Sequence, residues 1–290
     1  MVLSAMPWCS LLLPGLLVFG QADKTPASPT RNALALWQEG QEAMKRGEIP
    51  KALTLYQESR KLDPGLARVE LSLAAAHLQS ENQAKACEHL RRYLELEPGH
   101  WQVRLQLSDL LARLGHRALA RRELETLLHA AQNSYGSAPD DETNSGALTH
   151  LVQGHGRLME FAEEEANLAS YHLHRGLGLY FLAQTIPKQG SLVKVSIQGQ
   201  KEREELPDRQ DLLLKAVKDL MEAQRHSPAQ ARSAWYLSLS WRELGQTGQA
   251  EQWLKLLAKS HVPGELHPKE EREFAMARGS ERLDRLLMAR

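Results

Sequence analysis

The chain has 290 residues, with 36 Lys and Arg against 36 Asp and Glu. A general nucleic-acid binder draws on a basic excess, because phosphate neutralisation dominates its affinity; none is present, and the expectation is no nucleic acid. Leu, Ala, Glu, Gln and Arg are abundant and aromatics make up only 6%, so the composition reads as all-α, built from residues that lose little on entering a helix.

The first element is an apolar run, Leu11 to Phe19, followed by Gly20-Gln21-Ala22 with small residues where a signal peptidase needs them. Residues 1–22 are expected to be a signal peptide cleaved after Ala22, giving an exported (periplasmic or secreted) protein. The alternative is an uncleaved N-terminal anchor, since no Lys or Arg precedes the run. Membrane contact is expected only through this segment. Cys9 lies within it, so cleavage leaves Cys87 alone and stability resting on packing. Residues 23–32 read as a polar linker.

From residue 33 a period of 34 appears. Ala52, Ala86 and Ala120 keep this step, as do Tyr56, Leu90 and Leu124, and Pro64 and Pro98. With Ala33 as position 1, position 8 holds Gly40, Ala74 and Ser108, position 15 holds Gly47, Glu81 and Gly115, and position 20 is alanine throughout. A small residue lets two helix backbones approach, a large one fills the space beside it, and Gly and Pro punctuate the helices. At position 32 Gln132 stands where Pro64 and Pro98 stand before it. Counting again from Ala231 gives Ser238, Gly245, Ala250 and Leu254 at positions 8, 15, 20 and 24, and Ala216 and Leu220 lie 34 residues earlier. The second helix of a fourth unit is therefore expected at 208–226. Its first helix is placed by Leu177 to Phe181, with Gly178 at position 8, which leaves about 26 extra residues near 184–207.

This pattern resembles the tetratricopeptide-repeat family. The resemblance implies an all-α helix–turn–helix solenoid with a right-handed superhelix and about five repeats: units 1–3 over 33–134, a linker and connecting helix over 135–170, and units 4–5 over 171–264 with the insert in the fourth. A C-terminal capping helix is expected over 265–290. The resemblance also implies that positions 2, 5, 9, 12 and 13 of each first helix line a concave groove. Position 5 carries Trp37, Leu71, Leu105, Arg175 and Trp235; position 9 includes Gln41 and Asp109; Arg68, Arg113 and Arg232 add charge at the edges. Trp37 and Trp235 are the expected anchors, because Trp and Arg dominate binding hot spots. The lysines and asparagines with which some family members hold a C-terminal carboxylate are missing; Gln102 and Gln106 stand in the third unit.

Between the blocks, 133–146 is a polar linker and 147–165 a helix with a soft spot at Gly154-His155-Gly156. Val193, Val195 and Ile197 alternate as in a short strand or hairpin arm, with a disordered loop carrying a few apolar residues as the equal alternative. No phosphate loop, G-x-S-x-G or H-E-x-x-H occurs. His172 and His174 point apart on one helix, as do His150 and His155, so all are expected as solvated helix histidines. Cys87 is expected as a small buried thiol, and Glu163-Glu164-Glu165 as a solvated helix start. Neither a cofactor nor a metal is expected. The functional expectation is a non-catalytic scaffold binding a protein or peptide partner in the groove, in an exported or envelope complex. The alternatives are self-association through the insert arm and, third, an enzyme with the insert as a lid.

Overall fold

The computed structural model describes residues 29–136, 141–186 and 208–279. The leader, the Val193–Ile197 alternation and residues 280–290 lie outside the described residues. The described residues form twelve helices and no strand. The chain divides at Pro64 into a first unit and a second running from Gly65.

The first unit holds α1 (Pro29–Lys45) and α2 (Ile49–Leu62). Helix α1 starts inside the expected polar linker, at a proline whose fixed φ suits a first helical turn. The helices cross where Gly40 meets Tyr56: a Cβ on Gly40 would fall 2.4 Å from a ring carbon. Ser59 Oγ donates to the Ala33 carbonyl at 2.6 Å.

The second unit holds α3 (Ala67–Gln79), α4 (Gln83–Leu96), α5 (Trp101–Arg113), α6 (Arg117–Ser134), α7 (Asp141–Glu164), α8 (Leu168–Gln184), α9 (Arg209–His226), α10 (Ala231–Glu243), α11 (Thr247–Ser260) and α12 (Pro268–Gly279). Each packs on its chain neighbour through α11, around a core that includes Leu107, Leu111, Leu124, Leu127, Leu151, Leu177 and Phe181. Each such side chain contributes about 1.5–3 kcal/mol when buried.

Among the described residues, five helix-to-helix turns share one geometry. A residue with positive φ sits at each: Gly47 (76°), Glu81 (57°), Gly115 (81°), Ala166 (53°) and Gly245 (75°). The next residue's N–H returns to the carbonyl five before it, as in Glu48 to Ala43 at 2.9 Å and Asn167 to Ala162 at 2.8 Å. This is the glycine-favouring Schellman closure. Where glycine is replaced, by Glu81 or Ala166, an asparagine follows. Asn82 accepts from the Lys85 N–H at 3.2 Å and Asn167 from the Ser170 N–H at 3.1 Å, so a helix cap offsets the strained φ.

The turn at Ala166 makes α7 and α8 a helical hairpin of the same kind, which the 34-residue count does not reach. Helix α7 also begins at Asp141, inside the stretch read as linker. Gly154, read as a soft spot, is a packing site: a Cβ there would fall 2.7 Å from Leu128 Cδ2 on α6. Helix α8 is shared, packing on α7 through one face and on α9 through another. The close crossing with α9 belongs to Gly176, whose Cβ would lie 2.7 Å from Leu220 Cγ and 3.2 Å from the Ala216 carbonyl oxygen. Gly178, expected at that place, faces His155 on α7 instead, with its nearest contact at 3.7 Å. Position 8 of this unit is therefore Gly176, and Arg175 moves off position 5.

Glu163 and Glu164 end α7 rather than start a helix. Carboxylates are unfavourable there against the helix dipole, and α6 supplies the compensation: Arg117 pairs with Glu164, and Arg121 with Glu165 at 2.8 Å.

Candidate functional site

On α1, Trp37 and Gln41 are half-buried. In the second unit, Leu71 on α3 and Leu105 on α5 are half-buried, while Arg68 and Arg113 are exposed. Asp109 on α5 reaches the neighbouring first helix, α7, and pairs with Arg157 Nε at 2.9 Å. Arg175 turns toward α9 and pairs with Asp219 at 3.3 Å. His172 also meets Asp219, at 2.9 Å.

Trp235 departs from its expected role. It is 2% exposed, and its indole packs edge-on against Phe274 of α12, with ring centres 6.0 Å apart. Arg232, expected at a groove edge, sits beside it in a polar cluster. Its guanidinium donates to Gln132 Oε1 and to Glu270 Oε1, both at 3.2 Å. Gln132 in turn donates to Glu270 and to the Tyr236 hydroxyl oxygen. The break in the position-32 proline pattern thus has a structural outcome: Gln132 carries α6 into contact with α10 and α12. Tyr135, just past α6, packs on Phe181 of α8, and the Lys269 ammonium donates to its carbonyl. His129 on α6 meets His267, with ring centres 4.5 Å apart. Helix α12 therefore meets Arg232 and Trp235 of α10 and reaches back to Gln132 and Tyr135 at the end of α6.

Burial pushes the Glu270 carboxyl up. The Arg232 charge, the His267 N–H at 2.8 Å and the Gln132 and Tyr236 contacts more than reverse this, leaving it below the usual carboxylate range. Burial drives the Tyr236 and Tyr180 hydroxyls well up. Both rings stack edge-on around Phe181.

Helices α7 and α8 also hold a histidine pair that spacing along one helix cannot reveal. His155 is fully buried, stacks on Phe181, and its Nδ1 lies 3.1 Å from His174 Nδ1. Burial lowers both, His155 well below its ordinary value and His174 to about 3. Neither is a solvated helix histidine. Cys87 is buried and free, and burial pushes its thiol up. Among the described residues no three His, Cys, Asp or Glu side chains converge as a metal site would need. No helix among them is long and apolar enough to cross a membrane.

The 34-residue register, the small-to-large crossings and the repeated Schellman turns coincide on the same residues. The described residues have a tetratricopeptide-repeat-like fold of helical hairpins. No protein-family model matches the chain. The human PEX5-related protein is 24% identical over 166 residues, covering 53% of this chain and 26% of that protein, so the chain spans about a quarter of that relative's length. Among solved structures, PilF of Pseudomonas aeruginosa is 15% identical with a TM-score of 0.37, covering 87% of this chain and 100% of that one. MamA of Desulfovibrio magneticus RS-1 is 13% identical with a TM-score of 0.32, covering 79% and 94%. YrrB, described as a tetratricopeptide-repeat protein with an unusual peptide-binding site, is 12% identical with a TM-score of 0.32, covering 83% and 92%. At these values no function passes from them to this chain.

Proposed function

We propose that the chain is a non-catalytic interaction scaffold that binds a helix or extended peptide of a protein partner along the outward side of its first-of-pair helices. The observation that carries this reading is α12. One helix, tethered to the repeats by a short segment, already docks on α10 through an aromatic ring and a carboxylate, which supports recognition of a helix on this face by side-chain chemistry. Leu71, Leu105 and the Asp109–Arg157 pair extend a mixed apolar and charged surface over α3, α5 and α7. A partner would meet there the combination typical of protein interfaces, apolar contact with polar rims.

Photo-crosslinking residues placed at Leu71 or Leu105 should give one partner adduct in the native compartment. The same groups at exposed Glu88 or Arg122, on the second helices of their pairs, should not. Adducts of equal yield at all four positions would remove the first-helix face from the proposal. The apolar Leu11–Phe19 run followed by Gly20-Gln21-Ala22 supports export as part of this reading. A mature N-terminus at Asp23 is the expected outcome of N-terminal sequencing, and a native protein that begins at Met1 would remove export.

A further inference from the structure

Helix α12 is held by few contacts of specific chemistry. Glu270 and Phe274 stand four residues apart, on one side of the helix. The carboxylate enters the Arg232–Gln132 fork and the ring enters between Trp235 and His261, whose centre lies 5.1 Å from it. Both side chains are 2% exposed. The rest of the helix offers no apolar stripe, and Met276 is 73% exposed. Its N-terminus is tied to its own connecting segment, with Glu271 accepting from the Gly264 and Leu266 N–H groups, and to the end of α6 by the Lys269 ammonium on the Tyr135 carbonyl. The socket is also incompletely matched. Arg232 Nε and Trp235 Nε1 are buried with no acceptor among the described residues, which is a costly state for polar groups.

We propose that the Gln132–Arg232–Trp235 socket is a docking site for a helix of a partner protein that carries a carboxylate four residues ahead of an aromatic ring, and that α12 occupies it in the free protein as a tethered competitor. The proposal rests on the scaffold reading above and names its partner chemistry and its regulation. The guanidinium fork selects the carboxylate, and the indole and imidazole walls select the ring. A tethered occupant competes at an effective concentration on the order of millimolar. A foreign helix therefore binds with an affinity reduced by the fraction of chains whose socket is open. A partner that also places acceptors at Arg232 Nε and Trp235 Nε1 makes hydrogen bonds that α12 does not. That difference in affinity is what shifts the equilibrium.

The probe is a fluorescent peptide of residues 266–279, followed by anisotropy against the full chain. It should bind the Glu270→Gln/Phe274→Ala chain at least ten-fold more tightly than the wild type, because the competitor is disabled. Peptides carrying Glu270→Gln or Phe274→Ala should each lose that gain on the same double variant. Arg232→Met added to the double variant should abolish it as well. A double variant of wild-type helicity that binds the peptide no better than the wild type overturns the proposal. So does a stable wild-type dimer that dissociates in the double variant, since it would assign the socket to α12 of a second copy. A partner captured at Leu71 or Leu105 that binds wild type and double variant equally would leave the scaffold standing and remove α12 from its regulation.

Discussion

Helix α8 carries two glycines two residues apart, and exchanging each for alanine separates the crossing that matters from the one that does not. Both lie inside the helix, so each substitution gains about 1 kcal/mol of helix propensity. At Gly178 the new methyl would meet only His155 Cβ at 3.7 Å, an ordinary contact. At Gly176 it would lie 2.7 Å from Leu220 Cγ, 2.9 Å from Cδ2 and 3.2 Å from the Ala216 carbonyl oxygen. The leucine can rotate, but the carbonyl belongs to the backbone of α9 and can move only with that helix. Overpacking of this kind costs about 1–3 kcal/mol. Gly178→Ala should therefore raise stability by up to about 1 kcal/mol, and Gly176→Ala should leave it between unchanged and about 2 kcal/mol lower. Urea unfolding followed by helical circular dichroism resolves the order of the midpoints. A larger loss at Gly178 than at Gly176 would refute the register assigned to α8 and restore the one counted from Leu177 to Phe181.

Acid should weaken the fold through His155 and His174. Their folded pKa values lie below the unfolded 6.5, so the unfolded chain binds more protons and stability falls as pH drops below 6.5; at pH 5 the His174 share of this loss is about 2 kcal/mol, and His155 adds to it in the same direction. His155→Phe, which keeps a ring against Phe181, should flatten the stability profile between pH 7 and 5, and an unchanged slope would contradict the burial of the pair. Ala86→Leu should lower the urea midpoint more than Cys87→Ser, because Ala86 is fully buried while Cys87 retains 5% exposure, with overpacking costing about 1–3 kcal/mol; equal shifts would contradict the packing at position 20. Deleting 187–207 and bridging with a short Gly linker should leave a helical protein that melts cooperatively, because Arg209 already ties the junction. Its guanidinium donates to the Ala183 and Ile186 carbonyls at 2.6 and 2.7 Å, and a longer loop changes closure cost by only about 0.6 kcal/mol per doubling. Loss of the cooperative melt would place that segment in the fold.

The repeat was legible wherever it is written in glycine, alanine and proline. Position 20 reads as Ala52, Ala86, Ala120, Ala216 and Ala250, and each is buried. The α7–α8 hairpin was not legible by that rule, because its turn uses Ala166 and its N-cap is Asn167. The signal was nevertheless present one repeat earlier, where Glu81-Asn82 replaces glycine in the same way. Accepting either glycine or a residue followed by asparagine at the turn pairs the helix expected over 147–165 with α8. The double use of α8 is harder to read. A helix packed on two sides has no single apolar face, and Gly176 and Gly178 look alike until the partner of each is known.

Residue type points to the site, but not to which helix fills it. Trp235 and Arg232 stand out in the sequence because a large amphipathic ring and a guanidinium make strong anchors. That chemistry does not depend on whether the helix they anchor is foreign. A carboxylate and an aromatic ring one turn apart occur within the chain itself, at Glu270 and Phe274, and a tether of a few residues presents them to α10 continuously. An intramolecular helix pays little of the translational entropy that a separate molecule must lose, so it fills a socket that a partner of equal contact chemistry would leave largely empty at ordinary concentration. Gln132 was the residue in the sequence that carried this information. It breaks the proline pattern at the end of a helix that would otherwise face solvent, and a buried amide there requires partners from elsewhere in the chain. Tyr236 and Glu270, more than a hundred residues away, supply them.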